Sequence, residues 1–164
     1  MYAIVYSATG NTKFLADKIK DTLSNKEDCL YCGSTCDEAL KADRIYLGFW
    51  TNRGICDDIS KEFIQKLSNQ EVFIFGSAGF GNKLYLSRIL KNTMSLFPSK
   101  IHIIGRFMCQ GRMRGNVIEK YEKMMENKKT KSFGSMMMKN FEKSQSHPDD
   151  KDIAKLQKLI LKKK

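Results

Sequence analysis

The sequence predicts an α/β fold, a doubly wound three-layer sandwich with a mostly parallel sheet at its centre. Three observations lead there. The short apolar runs are continuous rather than alternating, as in strands covered on both faces. Segments with apolar residues at helical spacing lie between them. Strand and helix patterns then alternate along 164 residues, a length that suits one domain burying roughly 70% of its unfolded surface.

The elements follow in order. Tyr2–Ser7 is the first strand, and Leu15, Ile19 and Leu23 give the helix after it one apolar face. A weak second strand is expected around Cys29–Cys32, and Arg44–Trp50 is the third. Ile59, Phe63 and Leu67 mark a helix capped by Asp57 or Asp58. Val72–Gly76 is the fourth strand, followed by a stripe of Leu86, Ile89, Leu90, Met94 and Phe97. Ile101–Phe107 is the fifth. Asn116 with Glu119 reads as a helix start for Val117, Tyr121 and Met124. Pro148 suits the first turn of a last helix carrying Ile153, Leu156 and Ile160. Residues 127–152, rich in Lys, Ser and Met, are expected to form a basic, mobile loop before it.

Hydrophobic residues make up 41% and charged residues 29%, which excludes collagen-like and disordered classes. No apolar stretch reaches the roughly 18 residues of a membrane helix. Met1 runs straight into a strand, without a secretory apolar core, and the five cysteines are odd in number. A cytoplasmic protein with reduced thiols is therefore expected. The net charge is +11. Residues 1–97 carry 12 basic and 11 acidic groups, and residues 98–164 carry 17 and 7, so the excess is C-terminal. Such a patch suits an acidic partner, or it is a solvated face.

Open parallel sheets bind ligands beyond the carboxyl ends of their strands, so three loops carry the chemistry. Ser7-Ala8-Thr9-Gly10-Asn11-Thr12 joins the first strand to its helix. Gly10 lets backbone approach a ligand, the helix start favours an anion, and the hydroxyls of Ser7, Thr9 and Thr12 are neutral donors for phosphate. It is neither GxxxxGK[ST] nor GxGxxG. Trp50-Thr51-Asn52-Arg53-Gly54 places the sole tryptophan at the same edge, where its face suits a ring system. Ser77-Ala78-Gly79-Phe80-Gly81 offers backbone donors, with Phe80 or Tyr85 as an opposite stacking face. Together they call for a flat, phosphorylated aromatic ligand.

On the Ser7–Thr12 turn, which matches [TS]-x-T-G-x-T, and on Trp50, the chain resembles the flavodoxin-like family. FGSAGF and Cys109–Met113 (CQGRM) are similar to a subgroup of small anaerobe-type proteins that includes the accessory flavodoxin of the bilirubin reductase system. The resemblance implies a five-stranded sheet of order 2-1-3-4-5 and non-covalent FMN. The phosphate would lie on residues 7–12 and the ring near residues 50–54 and 77–81, with Tyr85. It also implies electron transfer to a partner oxidoreductase. The alternative is an NAD(P)H-dependent FMN reductase of quinones or pigments, or an accessory subunit of a two-protein reductase. One departure stands out: flavodoxins of the family are acidic and this chain is basic. Its redox partner is expected to present an acidic docking surface, and Arg53 is expected to raise the potential of the flavin by favouring its reduced, anionic form.

Other features have plainer readings. Cys29, Cys32 and Cys36 lack a fourth metal ligand, and His102 and His147 do not complete one. Cys56 lies near the expected ring edge as either a helix-start residue or a reactive thiol. Met136–Met138 with Phe133 and Phe141 form either a contact surface or local packing. Neither nucleic-acid binding nor membrane insertion is expected, and the chain should be a monomer or a weak dimer.

Overall fold

The computed structural model describes residues 1–8 and 10–162. The strands are β1 Tyr2–Tyr6, β2 Cys29–Ser34, β3 Arg44–Asn52, β4 Ile55–Cys56, β5 Glu71–Ala78 and β6 His102–Gln110. The helices are α1 Asn11–Thr22, α2 Asp58–Gln65, α3 Lys83–Met94, α4 Ile118–Glu126, α5 Lys131–Ser144 and α6 Asp150–Leu161. The long strands run parallel in the order β2-β1-β3-β5-β6, which is the expected 2-1-3-4-5 winding. The two-residue β4 turns back on the end of β3 as an antiparallel flap.

The continuous apolar runs arise because each strand feeds two cores. In β1, Ala3 and Val5 face one side while Tyr2 and Ile4 face the other. In β5, Val72 and Ile74 oppose Phe73 and Phe75 in the same way. Phe63 and Ile64 of α2 and Ile89 of α3 cover the first side. Leu15 and Ile19 of α1 and Leu156 and Ile160 of α6 cover the second. Gly48 of β3 is needed there: a Cβ would stand 2.5 Å from the Phe75 ring and 2.9 Å from Cγ2 of Thr12. That space lets the start of α1 settle onto the sheet.

Four local expectations change. Residues 127–152 do not form a loop: α5 occupies fourteen of them and pairs with α4 as an inserted helical hairpin. Its buried positions include Gly134 and Ser144, so apolar periodicity cannot reveal it. Gly134 is small by necessity, because a Cβ would lie 2.7 Å from Cβ of Met124. Asn116 does not cap α4, since a 3-10 turn over Gly115–Val117 leads straight into it. Pro148 precedes α6 rather than opening it, and Asp149 and Asp152 form a reciprocal capping box. The weak second strand is longer than expected, and β2 lies half-buried at the sheet edge.

Candidate functional site

Strand register decides what meets at the carboxyl edge. Tyr6 lies opposite Gly48, Trp50 opposite Ser77, and Ala78 opposite Gln110. The loops after β1, β3, β5 and β6 therefore emerge side by side. Between them opens a cleft of about 1210 Å³, above the roughly 300–1,000 Å³ of ordinary ligand pockets.

Its floor begins at the start of α1. Gly10 occupies the N-cap with φ 78°, a left-handed conformation that glycine tolerates, and nothing lies within 4 Å of where a Cβ would be. Gly10 has no side chain with which to bond the first N–H groups of the helix. The caps of α2, α3 and α6 differ, being supplied by Asp57, Asn82 and Asp149. Ala8, Gly10, Asn11 and Thr12 all line the cleft. Thr9 lies outside the described residues. Ser7 is not among the lining residues: its hydroxyl donates to Oδ2 of Asp57 at 2.6 Å.

Asp57 turns out to hold two loops at once. It is 2% exposed. Its Oδ2 accepts from Ser7 Oγ, from Ser60 Oγ at 2.9 Å and from the Trp50 N–H at 3.3 Å. Its Oδ1 caps α2 through the Ser60 N–H at 3.0 Å. One carboxylate thus ties the phosphate-type turn to the end of β3.

Trp50 is 43% exposed and lines the cleft with Thr51, whose hydroxyl donates to the Ser77 carbonyl at 2.9 Å. Ser77 and Ala78 at the end of β5, with Gly79 just beyond, line it as well. Asn52, Arg53 and Gly54 are not among the described lining residues; Asn52 ends β3, and Arg53 and Gly54 form the turn into β4, with Arg53 at φ 52°. Phe80, Gly81 and Tyr85 are also not among the described lining residues. The Phe80 and Tyr85 rings pack edge to face against each other, with centroids 6.2 Å apart.

The far wall escaped sequence reasoning. It comes from the β6–α4 loop (Gly111–Val117) and from Gln145, His147 and Pro148, between α5 and α6. Asn11 and Arg112 are joined twice, Nδ2 to the Arg112 carbonyl and the Arg112 N–H to Oδ1, both at 3.0 Å. The Arg112 Nε donates to the Gln145 carbonyl at 3.0 Å. Gln110 and Asn140 both donate to the Gly79 carbonyl, at 2.9 and 3.0 Å. A signal for the loop was present in the sequence: two arginines between two glycines, directly after a buried strand. Nothing local marks Asn140 or Gln145.

The thiols play a lesser part. Burial pushes Cys56 up to about 11 and Cys109 higher still, so neither is a ready nucleophile. The reactive alternative for Cys56 is thereby corrected. His147 Nδ1 lies 2.8 Å from Asp152 Oδ2, inside the α6 cap. Among the described residues, no helix is long and apolar enough to cross a membrane.

A family model described as flavodoxin domain matches residues 3–161. The flavodoxin-like domain-containing protein BilS of Clostridium symbiosum (strain WAL-14163) is 33% identical over 178 residues, covering 98% of this chain and 94% of that protein. The protein of the same name from Clostridioides difficile (strain CD3) is 32% identical over 155 residues, covering 92% and 88%. A flavodoxin from the domain Archaea superposes with a TM-score of 0.52 at 17% identity, over 99% of this chain and 95% of that one, a likeness of fold.

Proposed function

This chain belongs to the flavodoxin domain family, and from that premise we propose that it binds FMN in the carboxyl-edge cleft and passes electrons to a partner oxidoreductase. One observation carries the reading. A side-chain-free helix start, an exposed tryptophan and a strip of small residues line one continuous cleft. The cleft suits the cofactor on its own chemistry. The open concavity at Gly10 and the first N–H groups of α1 suit a phosphate. The half-exposed indole suits a flat ring, and the Ser77–Gly79 backbone suits a polar heterocycle edge.

On this reading Gly10, Asn11 and Thr12 hold the phosphate end, and Ser7 and Thr9 complete the turn. Trp50 and Thr51 lie along the ring, with Ser77, Ala78 and Gly79 at its polar edge. Asn52, Arg53 and Gly54 border the ring from the β3–β4 turn, and Phe80, Gly81 and Tyr85 support the β5 loop. FMN supplies the redox chemistry when bound. The chain's residues bind and orient it, and Asp57 keeps Ser7 and Trp50 in fixed relation. The partner would present an acidic surface to the basic C-terminal elements, in the manner of an accessory component in a two-protein system.

An absorbance spectrum of the purified protein, taken with and without added FMN, tests the cofactor. Visible flavin bands bleached by dithionite but not by NADPH alone would support a carrier that needs a partner. Bleaching by NADPH alone would establish the enzyme instead. No bands and no uptake of FMN would refute the cofactor.

A further inference from the structure

We propose that Arg112 makes the wall beside the phosphate-type turn cationic and thereby selects a phosphorylated flavin over its dephosphorylated form. The inference rests on the cofactor assignment above and goes beyond it, because the turn itself offers only neutral donors.

Position comes first. The Arg112 backbone is pinned to the Asn11 side chain by two hydrogen bonds, and Asn11 follows the Gly10 cap directly. Arg112 therefore stands at the mouth of α1 however its side chain moves. Orientation comes second. The Nε donates to the Gln145 carbonyl, and among the described residues nothing engages the four N–H groups on the two terminal nitrogens, in a fork that matches phosphate oxygens. No carboxylate forms an ion pair with Arg112 among the described residues.

Charge comes third. The described lining of the cleft contains Arg112, Arg114 and His147 and no Asp or Glu. The first turn of α1 is also free of acids. Three carboxylates stand near: Asp57 is 2% exposed and already takes four donors, from Ser7, Trp50 and Ser60, and those of Asp149 and Asp152 serve the α6 cap and the His147 ring. A dianion placed at Gly10–Thr12 therefore meets the helix dipole and a guanidinium together. A neutral ribityl end would gain nothing from the second.

The test titrates FMN and riboflavin into the full flavin-free chain at low and high salt, following Trp50 fluorescence. Unaltered protein should prefer FMN, and the preference should shrink with salt. Arg112→Gln should weaken FMN about tenfold, the lower end expected for a charged hydrogen bond at an exposed position, and leave riboflavin unchanged. Arg112→Lys should recover most of the preference and its salt dependence. Equal weakening of both flavins by Arg112→Gln would make the residue a structural prop and overturn the inference. So would unaltered FMN binding in that variant. Binding of both flavins with equal affinity by the unaltered chain would overturn it while leaving the cofactor in place. Binding of neither would remove both.

Discussion

Removing the Asp57 carboxylate should loosen both ends of the cleft and cost the chain a measurable part of its stability. Four donors converge on it: Ser7 Oγ, Ser60 Oγ, and the N–H groups of Trp50 and Ser60. Asp57→Ala removes an N-cap, worth about 1 kcal/mol. It also strips hydrogen bonds to a charged group, each roughly 1.5–3 kcal/mol when taken singly. These share one carboxylate and do not add, so a total of about 3 kcal/mol is reasonable. For a chain of this size that lowers Tm by about 6–12 °C. Asp57→Asn is the discriminating variant. The hydroxyls of Ser7 and Ser60 can turn to accept from an amide, but the two backbone N–H groups cannot. Whichever way the amide points, its NH2 faces either Trp50 N–H or Ser60 N–H. One misplaced donor costs about 1–2 kcal/mol, roughly 2–8 °C. Thermal melts followed by circular dichroism on flavin-free protein read all three chains, and FMN titration should show Asp57→Ala weakest. A melt of Asp57→Ala within about a degree of the unaltered protein would refute the role given to Asp57. So would Asp57→Asn melting below Asp57→Ala.

Three further outcomes are expected. In the folded protein at mildly alkaline pH, a thiol reagent should titrate at most Cys29, Cys32 and Cys36, because Cys56 and Cys109 are buried with their thiols held protonated. All five should react after unfolding, and rapid modification of Cys56 in the native state would contradict its placement. Asp149 is lowered from its ordinary 3.8, chiefly by the backbone N–H of Asp152, so its contribution to stability is present above that value and lost as pH falls through the lower, folded one. Asp149→Asn should therefore destabilise the chain at neutral pH, with the gap to the unaltered protein closing below about pH 4; a gap that stays constant in acid counts against it. Neutralising Lys128, Lys129 and Lys131, exposed at the turn into α5, should reduce the salt sensitivity of electron transfer to an acidic partner, and unchanged salt dependence would place the docking surface elsewhere.

What the sequence made legible follows a physical pattern. Central strands covered on both faces are continuous apolar runs, so β1, β3 and β5 could be read directly. Edge strand β2 is only half-covered, and its signal is correspondingly weak. Helix α5 was hidden because its hairpin buries Gly134 and Ser144 against α4 and the β6 loop, where small side chains allow close approach. Around the cleft, Gly10–Thr12, Trp50, Thr51 and Ser77–Gly79 sit at the carboxyl ends of apolar strands or just beyond them, and position alone brings them to its lining. Phe80 and Tyr85, expected there for their ring chemistry, pack edge to face against each other. Arg112, Asn140 and Gln145 enter through long-range bonds, Asn11 to Arg112 across 101 positions, which no local pattern encodes.

The helical hairpin joins the basic C-terminal region to the carboxyl-edge cleft. Its anchor is polar and directional: Asn140 and Gln110 share the Gly79 carbonyl, Ser144 Oγ accepts from the Met113 N–H, and Gln145 Nε2 donates to the Met113 carbonyl. Apolar packing alone would let the hairpin slide, whereas bonds to two separate loops fix the β5 and β6 sides of the cleft relative to each other. The opposite side is treated differently. Trp50 keeps 43% of its surface open, while its backbone N–H is held by Asp57. On the reading proposed above, this asymmetry would suit an electron carrier, with a phosphate end held by bonded loops and a ring side left accessible to a partner. The lysines at the turn into α5 ride on the same hairpin that bonds to the cleft wall, so on the reading proposed above a partner drawn to them would meet a surface tied to the cofactor cleft.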